Sequence, residues 1–130
     1  MKKKILAVDD EKGFRDMYVY LLEPMGIEVT CASNGAEAVE KIKESAYDLV
    51  LMDVHMPILT GREAFKQIKQ IRPDQKIIIF SSSSDPNLIF EKQARQEGAI
   101  DCLFKPCDLS EIRQVLEKAI GPLGDSEEAA

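Results

Sequence analysis

A chain of 130 residues has the usual size of one domain and can bury roughly two thirds of its unfolded surface, so it needs neither disulfides nor a structural metal to hold a core. With 23 acidic against 17 basic residues and a formal net charge of -6, it repels nucleic-acid phosphates and anionic lipid, which excludes both as direct partners. The start, MKKKILAVDDEK, has a basic cluster but too short an apolar run for a signal peptide, and no stretch nears the ~18 apolar residues of a membrane span, so a cytoplasmic protein is expected.

Two periodicities alternate along the chain. Residues 4–8 (KILAV) are short and apolar and read as the first strand, closed by Asp9 and Asp10. Phe14, Met17, Tyr18, Leu21 and Leu22 recur at helical spacing and mark the first helix, which ends before Pro24 and Gly26. Residues 27–32 (IEVTCA) make the second strand, and Val39, Ile42 and Ala46 the stripe of the second helix. Residues 49–52 (LVLM) form a third strand, a nearly unbroken apolar run that delivers one carboxylate, Asp53. Phe65, Ile68 and Ile71 mark the third helix, stopped by Pro73, and residues 77–80 (IIIF) are a fourth strand running into the serines 81–84. Segment 86–97 reads as a helix with an exposed apolar side, because Leu88, Ile89 and Phe90 are consecutive; Asp85 caps it and Pro86 suits its first position. Residues 100–104 (IDCLF) are the fifth strand, ending at Lys105 and Pro106, and Leu109, Ile112, Leu116 and Ile120 mark the last helix. Residues 1–120 are thus one domain, and 121–130 (GPLGDSEEAA) a polar tail or the start of a linker.

Five strand–helix alternations, with strands three and four nearly all apolar and in need of cover on both faces, predict a parallel sheet between two layers of helices. Right-handed crossovers bring every carboxyl end to one edge, where open α/β sheets bind ligands. Asp9, Asp10, Asp53, Ser81 and Lys105 therefore collect there. Three close carboxylates repel one another and a buried one is costly, a conflict that a hard cation such as Mg2+ relieves. Acids for a metal, a point-charge lysine and a hydroxyl donor suit a phosphoryl group in transfer, and the free carboxylate can itself be the nucleophile. An acidic pair such as Asp9-Asp10 commonly does no more than cap the next helix; the company of the other strand ends favours the metal. Cys31, Cys102 and Cys107 are odd in number and spaced unlike a disulfide framework, and His55 is the sole histidine, so plain reduced thiols are expected rather than zinc ligands.

Four stretches together carry a resemblance: AVDDEKGFR, LVLMDVHMPILTG, the hydroxyl of IIIFSS, and LFKP. In order and spacing, over residues 3–120, the chain closely resembles the receiver domain of two-component response regulators. The resemblance implies a flavodoxin-like α/β fold, a doubly wound five-stranded parallel sheet of order 2-1-3-4-5 with helices on both faces; the order comes from the family and not from the residues. It implies that Asp53 is the phosphoacceptor, that Asp9 and Asp10 are the Mg2+-binding acids (Asp10 directly, Asp9 largely through water), and that Asp53 and the backbone carbonyl of His55 complete the protein's share of the metal shell. Lys105 matches the phosphate-contacting lysine, aimed by Pro106, and Ser81 the switch hydroxyl that pulls the following loop and helix. The side chains of His55 and Ser83 would overhang the phosphoryl group and set its lifetime. Implied partners are a sensor histidine kinase or phosphotransfer protein, a downstream effector or output domain, and a second copy in a dimer formed on phosphorylation. Such a domain is a signalling switch that assists its own phosphotransfer and dephosphorylation, not an enzyme.

Two positions depart from the pattern. Cys102 stands three residues before Lys105, where a swinging Tyr or Phe is usual, and Ser82 replaces a small Ala or Gly. A thiol is too small for the usual inward rotation, so output is expected to run through the loop after Ser81 and through Leu88, Ile89 and Phe90. The rival readings are a degenerate receiver acting as a constitutive interaction module, a magnesium-dependent aspartyl phosphohydrolase, and a flavin-binding module. A haloacid-dehalogenase-like hydrolase wants a second Asp where this chain has His55, and the acids of DDEK repel the phosphate a flavin module must hold.

Overall fold

The computed structural model describes residues 3–53, 61–81, 95–96, 98–104 and 109–121. Among them the chain runs β1 (Lys3–Val8), α1 (Lys12–Leu22), a short 3-10 helix (Glu23–Met25), β2 (Ile27–Ala32), α2 (Gly35–Glu44), β3 (Leu49–Asp53), α3 (Gly61–Ile71), β4 (Ile77–Ser81), β5 (Asp101–Phe104) and α4 (Leu109–Ile120). The five strands form one sheet in the order β2-β1-β3-β4-β5, and every neighbouring pair is parallel. This is the doubly wound, flavodoxin-like α/β architecture expected from the sequence.

Alternation along each strand builds two cores. Leu6, Val8, Val50, Met52, Ile77 and Ile79 face Val39 and Ile42 of α2 and Phe65 and Ile68 of α3. Their neighbours Ile5, Ala7, Leu49, Leu51, Ile78 and Phe80 face Tyr18 and Leu22 of α1 and Ile112 and Leu116 of α4. β3 and β4 are buried along their whole length, which is why their sequences lack a polar face. Tyr18 meets Phe80 edge to face, with centroids 5.7 Å apart, a contact worth ~0.5–1.5 kcal/mol beyond the area it buries.

Several boundaries differ from the sequence expectation. β3 and β4 each continue one residue further, so Asp53 and Ser81 are themselves the last strand residues. Ala46 is not on α2: the helix stops at Glu44, Ser45 is extended (φ -157°, ψ 163°), and Ala46 is exposed, the buried stripe being completed by Ala38. Ile71 ends α3 at 38% exposure, because the last turn overhangs the layer that buries Phe65 and Ile68. β5 begins at Asp101, with Ile100 before it tied to β4 through its amide on Ile77 O. Of the helix expected at 86–97, only Arg95 and Gln96 are described, and both are helical; the apolar run at 88–90 lies outside the described residues.

Local signals account for the joints. Gly26 adopts φ 83°, a left-handed turn that glycine enters without strain, and it reverses the chain from the 3-10 helix into β2. Asn34 caps α2 by accepting from the Glu37 amide at 2.8 Å, while the Glu37 carboxylate accepts from the Ser33 amide at 3.1 Å. The amino-terminal edge of the sheet is stitched by side chains on carbonyls. Lys76 donates to Ala119 O (2.7 Å), Arg72 to Ile42 O (3.0 Å), Gln75 to Tyr47 O (2.9 Å) and Lys69 to Gln75 O (2.7 Å). Burial holds the Lys69 ammonium below its usual pKa, partly countered by Asp74. Cys31 on β2 is half-buried and Cys102 on β5 is buried; burial pushes the Cys31 thiol up, against the pull of the Arg15 guanidinium.

Candidate functional site

The opposite, carboxyl-terminal edge carries the acids. β1 ends at Val8, and the chain leaves it through Asp9, which is fully buried, and Asp10, which is exposed. β3 delivers Asp53 at 4% exposure, on the parity of Leu49 and Leu51. Register then aligns the strand ends: Val8 pairs with Met52, Asp53 with Phe80, and Ser81 with Phe104. Each of Asp9, Asp10 and Asp53 offers a carboxylate oxygen, and the three oxygens lie within 4.8 Å of one another.

The pair after β1 is held by more than the strand. The Asp9 amide donates to Ala32 O of β2 at 3.1 Å, its Oδ1 accepts from the Glu11 amide at 3.0 Å, and its carbonyl accepts from Arg15 Nη1 at 2.8 Å. Glu11 is the N-cap of α1 and makes no side-chain cap bond, so Asp9 does part of the capping from two positions further back. The capping role weighed for this pair is therefore real, and it coexists with the acidic cluster.

Withdrawing a carboxylate from water costs several kcal/mol even after relaxation, and two of these three are buried side by side. The donor set fits a hard divalent cation: all oxygen, two acids on one turn and one on a neighbouring strand, in a grouping Mg2+ commonly uses together with water and phosphate oxygens. Among the described residues this is the one group of three or more such ligands. Ser81 closes β4 on the same edge and is fully buried. Cys102 lies in mid-β5, opposite Ile79, within the core under α2 and α3. Lys105, Pro106, His55, Ser82 and Ser83 lie outside the described residues.

Residues 5–117 match the family model described as response regulator receiver domain. The chain belongs to this family. The receiver resembles the chemotaxis protein CheY of Bacillus subtilis, 39% identical over 121 residues that cover 92% of this chain and 99% of that one. It is 35% identical to the transcriptional regulatory protein ZraR of Klebsiella oxytoca over 116 residues, 89% of this chain but 26% of that protein, so the receiver spans about a quarter of that relative's length. It also superposes, with a TM-score of 0.82 and 27% identity, on the receiver domain of a sensor histidine kinase from Pseudomonas aeruginosa, covering 94% of this chain and 100% of that one; that structure has a magnesium ion coordinated in its active site cleft. This receiver is a two-component signalling domain, and its cluster of Asp9, Asp10 and Asp53 fits the acidic phosphoacceptor and magnesium site of such a domain. No helix among its described residues is long and apolar enough to cross a membrane.

Arg15 is the site residue to which the sequence reading assigned no role. It closes the stretch AVDDEKGFR, yet nothing in a list of residue types says that a side chain on the second turn of α1 reaches back to a strand-end carbonyl. Helical side chains tilt toward the amino terminus, and an arginine six residues after a strand-end acid was the available signal.

Proposed function

We propose that this receiver is a phosphorylation-dependent switch in which Asp53 accepts a phosphoryl group with the help of Mg2+. The observation that carries the reading is the convergence of Asp9, Asp10 and Asp53 within 4.8 Å at the ligand-binding edge, two of them buried. Asp10 and Asp53, with the backbone carbonyl of His55, would hold the metal directly and Asp9 mainly through water; bound there, Mg2+ supplies charge neutralisation for the phosphoryl oxygens.

The Asp53 carboxylate oxygen attacks phosphorus, the bond from phosphorus to the donor breaks, and its electron pair leaves with the donor, which is a phosphohistidine imidazole when the partner is a sensor kinase or phosphotransfer protein. Lys105 pairs with the new phosphoryl oxygens and Ser81 donates to one of them. Water later attacks the same phosphorus, releasing inorganic phosphate and restoring the carboxylate, and His55 and Ser83 set how readily it enters. Because Ser81 is the last residue of β4, its movement is passed to the segment that follows and alters the surface read by a downstream effector, an output domain or a second copy. Residues 1–120 carry this activity, with 121–130 as tail or linker.

Incubation with acetyl phosphate and Mg2+ tests the reading. The expected product is the intact protein carrying a single acid-stable, base-labile phosphoryl group, absent in Asp53→Asn and absent with EDTA. Turnover of many equivalents would instead indicate a hydrolase, and no labelling a constitutive interaction module.

A further inference from the structure

We infer that Arg15 is a positioning residue for the acidic pocket: by clamping the backbone of Asp9 it sets the turn that presents Asp9 and Asp10 to a divalent cation. The inference rests on the receiver-site reading above and adds to it a residue that touches neither metal nor phosphoryl group.

Bonds hold Asp9 from three directions. Its amide is tied to β2 through Ala32 O (3.1 Å), its carboxylate to the start of α1 through the Glu11 amide (3.0 Å), and its carbonyl to the second turn of α1 through Arg15 Nη1 (2.8 Å). The amide bond reaches strand backbone and the carboxylate bond helix backbone. The carbonyl bond comes from a side chain, and it fixes the peptide joining Asp9 to Asp10. Rotation of that peptide would swing the exposed Asp10 carboxylate relative to the buried Asp9, so the 4.8 Å grouping depends on it.

Arg15 is suited to this work. It is half-buried, and its own amide donates to Glu11 O at 3.2 Å, so the helix turn from which it reaches is formed. A charged donor on a carbonyl makes a stronger bond than a neutral one. Its positive charge acts in the opposite sense, since a cation near the pocket repels Mg2+. Replacing Arg15 separates the two effects: loss of the clamp weakens metal binding, whereas loss of charge alone strengthens it.

The test is calorimetric titration of Mg2+ into the full chain, with thermal melting in EDTA as the measure of fold. Arg15→Met is expected to weaken Mg2+ binding about tenfold, the lower end of what loss of an outer contact to a metal ligand costs, with a melting midpoint close to that of the parent. Arg15→Lys, which keeps a charged donor of similar reach, is expected to stay within about twofold of the parent. Arg15→Gln, whose amide ends two bonds short of the Nη1 position, is expected to lose as much as Arg15→Met, and decides the matter should the Met variant fail to fold. Unchanged or tighter Mg2+ binding in the neutral variants overturns the inference, as does equal loss in Arg15→Lys. A parent protein that takes up no Mg2+ overturns the receiver-site reading itself, and the inference with it.

Discussion

Asp53, Asp9 and Asp10 are individually ordinary residues whose meaning comes from like charge at short range. Three carboxylates with oxygens within 4.8 Å raise one another's energy, and the two buried ones have little water to screen them. A cation bound by the folded state alone adds stability in proportion to the logarithm of its concentration, ~2.7 kcal/mol at a hundredfold excess over the dissociation constant. Asp10→Asn, which removes the exposed member of the three, should therefore act in opposite directions in two buffers. In EDTA its melting midpoint should rise above that of the parent, because a repulsion is gone. In excess Mg2+ the parent should gain stability and the variant little, so that the order reverses. Parallel melts in the two buffers check this; a variant that melts lower in EDTA would show that Asp10 is not held against its neighbours.

At the scale of elements, the sheet edges divide the labour. The amino-terminal edge is sewn shut by Lys69, Arg72, Gln75 and Lys76, each on a main-chain carbonyl, while the carboxyl edge carries the acids and Ser81. α2 is held by a reciprocal cap: Asn34 accepts from Glu37, and Glu37 reaches back to Ser33. Asn34→Ala should cost about 1 kcal/mol, read as a lower urea midpoint with unchanged slope, and should leave phosphoryl labelling from acetyl phosphate intact, since the cap bonds join Ser33, Asn34 and Glu37 to one another rather than to the acids. A change in labelling would place α2 in the site. Gly98 is a second constrained joint. Its φ of 113° suits only glycine, and a Cβ there would sit 3.2 Å from Lys69 Nζ, so the turn leading toward β5 and the end of α3 are fitted to each other.

For the molecule as a whole, the question is how a charge added at Asp53 is felt elsewhere. Cys102 is a small side chain, buried opposite Ile79 in the core beneath α2 and α3. On the proposed mechanism, output runs through the segment after Ser81 and through Leu88, Ile89 and Phe90, and not through position 102. Cys102→Tyr should lower stability by ~1–3 kcal/mol through overpacking yet leave phosphorylation-dependent partner binding unchanged, while Leu88→Ala should abolish that binding. The reverse pair of results, measured by titration of labelled partner, would restore an aromatic gate. Much of this architecture was legible in the chain itself. Strand positions and their parallel arrangement followed from short apolar runs alternating with helical stripes, because a strand covered on both faces is apolar along most of its length, and the placing of Asp9, Asp10, Asp53 and Ser81 at one edge followed from the single edge to which parallel strands lead. The strand order did not follow from these residues, since parity and periodicity are blind to which neighbour a strand selects. Ala46 falls beyond the end of α2, and Ile71, on α3 as expected, is exposed at its last turn, because an apolar stripe does not say where a helix stops or where it outruns the layer that buries it. Only tertiary structure could decide that Arg15 reaches the Asp9 carbonyl and that three carboxylates lie within one cation's reach. Those are distances between segments far apart in sequence or turned back on themselves, and local sequence carries the chemistry of such groups but not the path that brings them together.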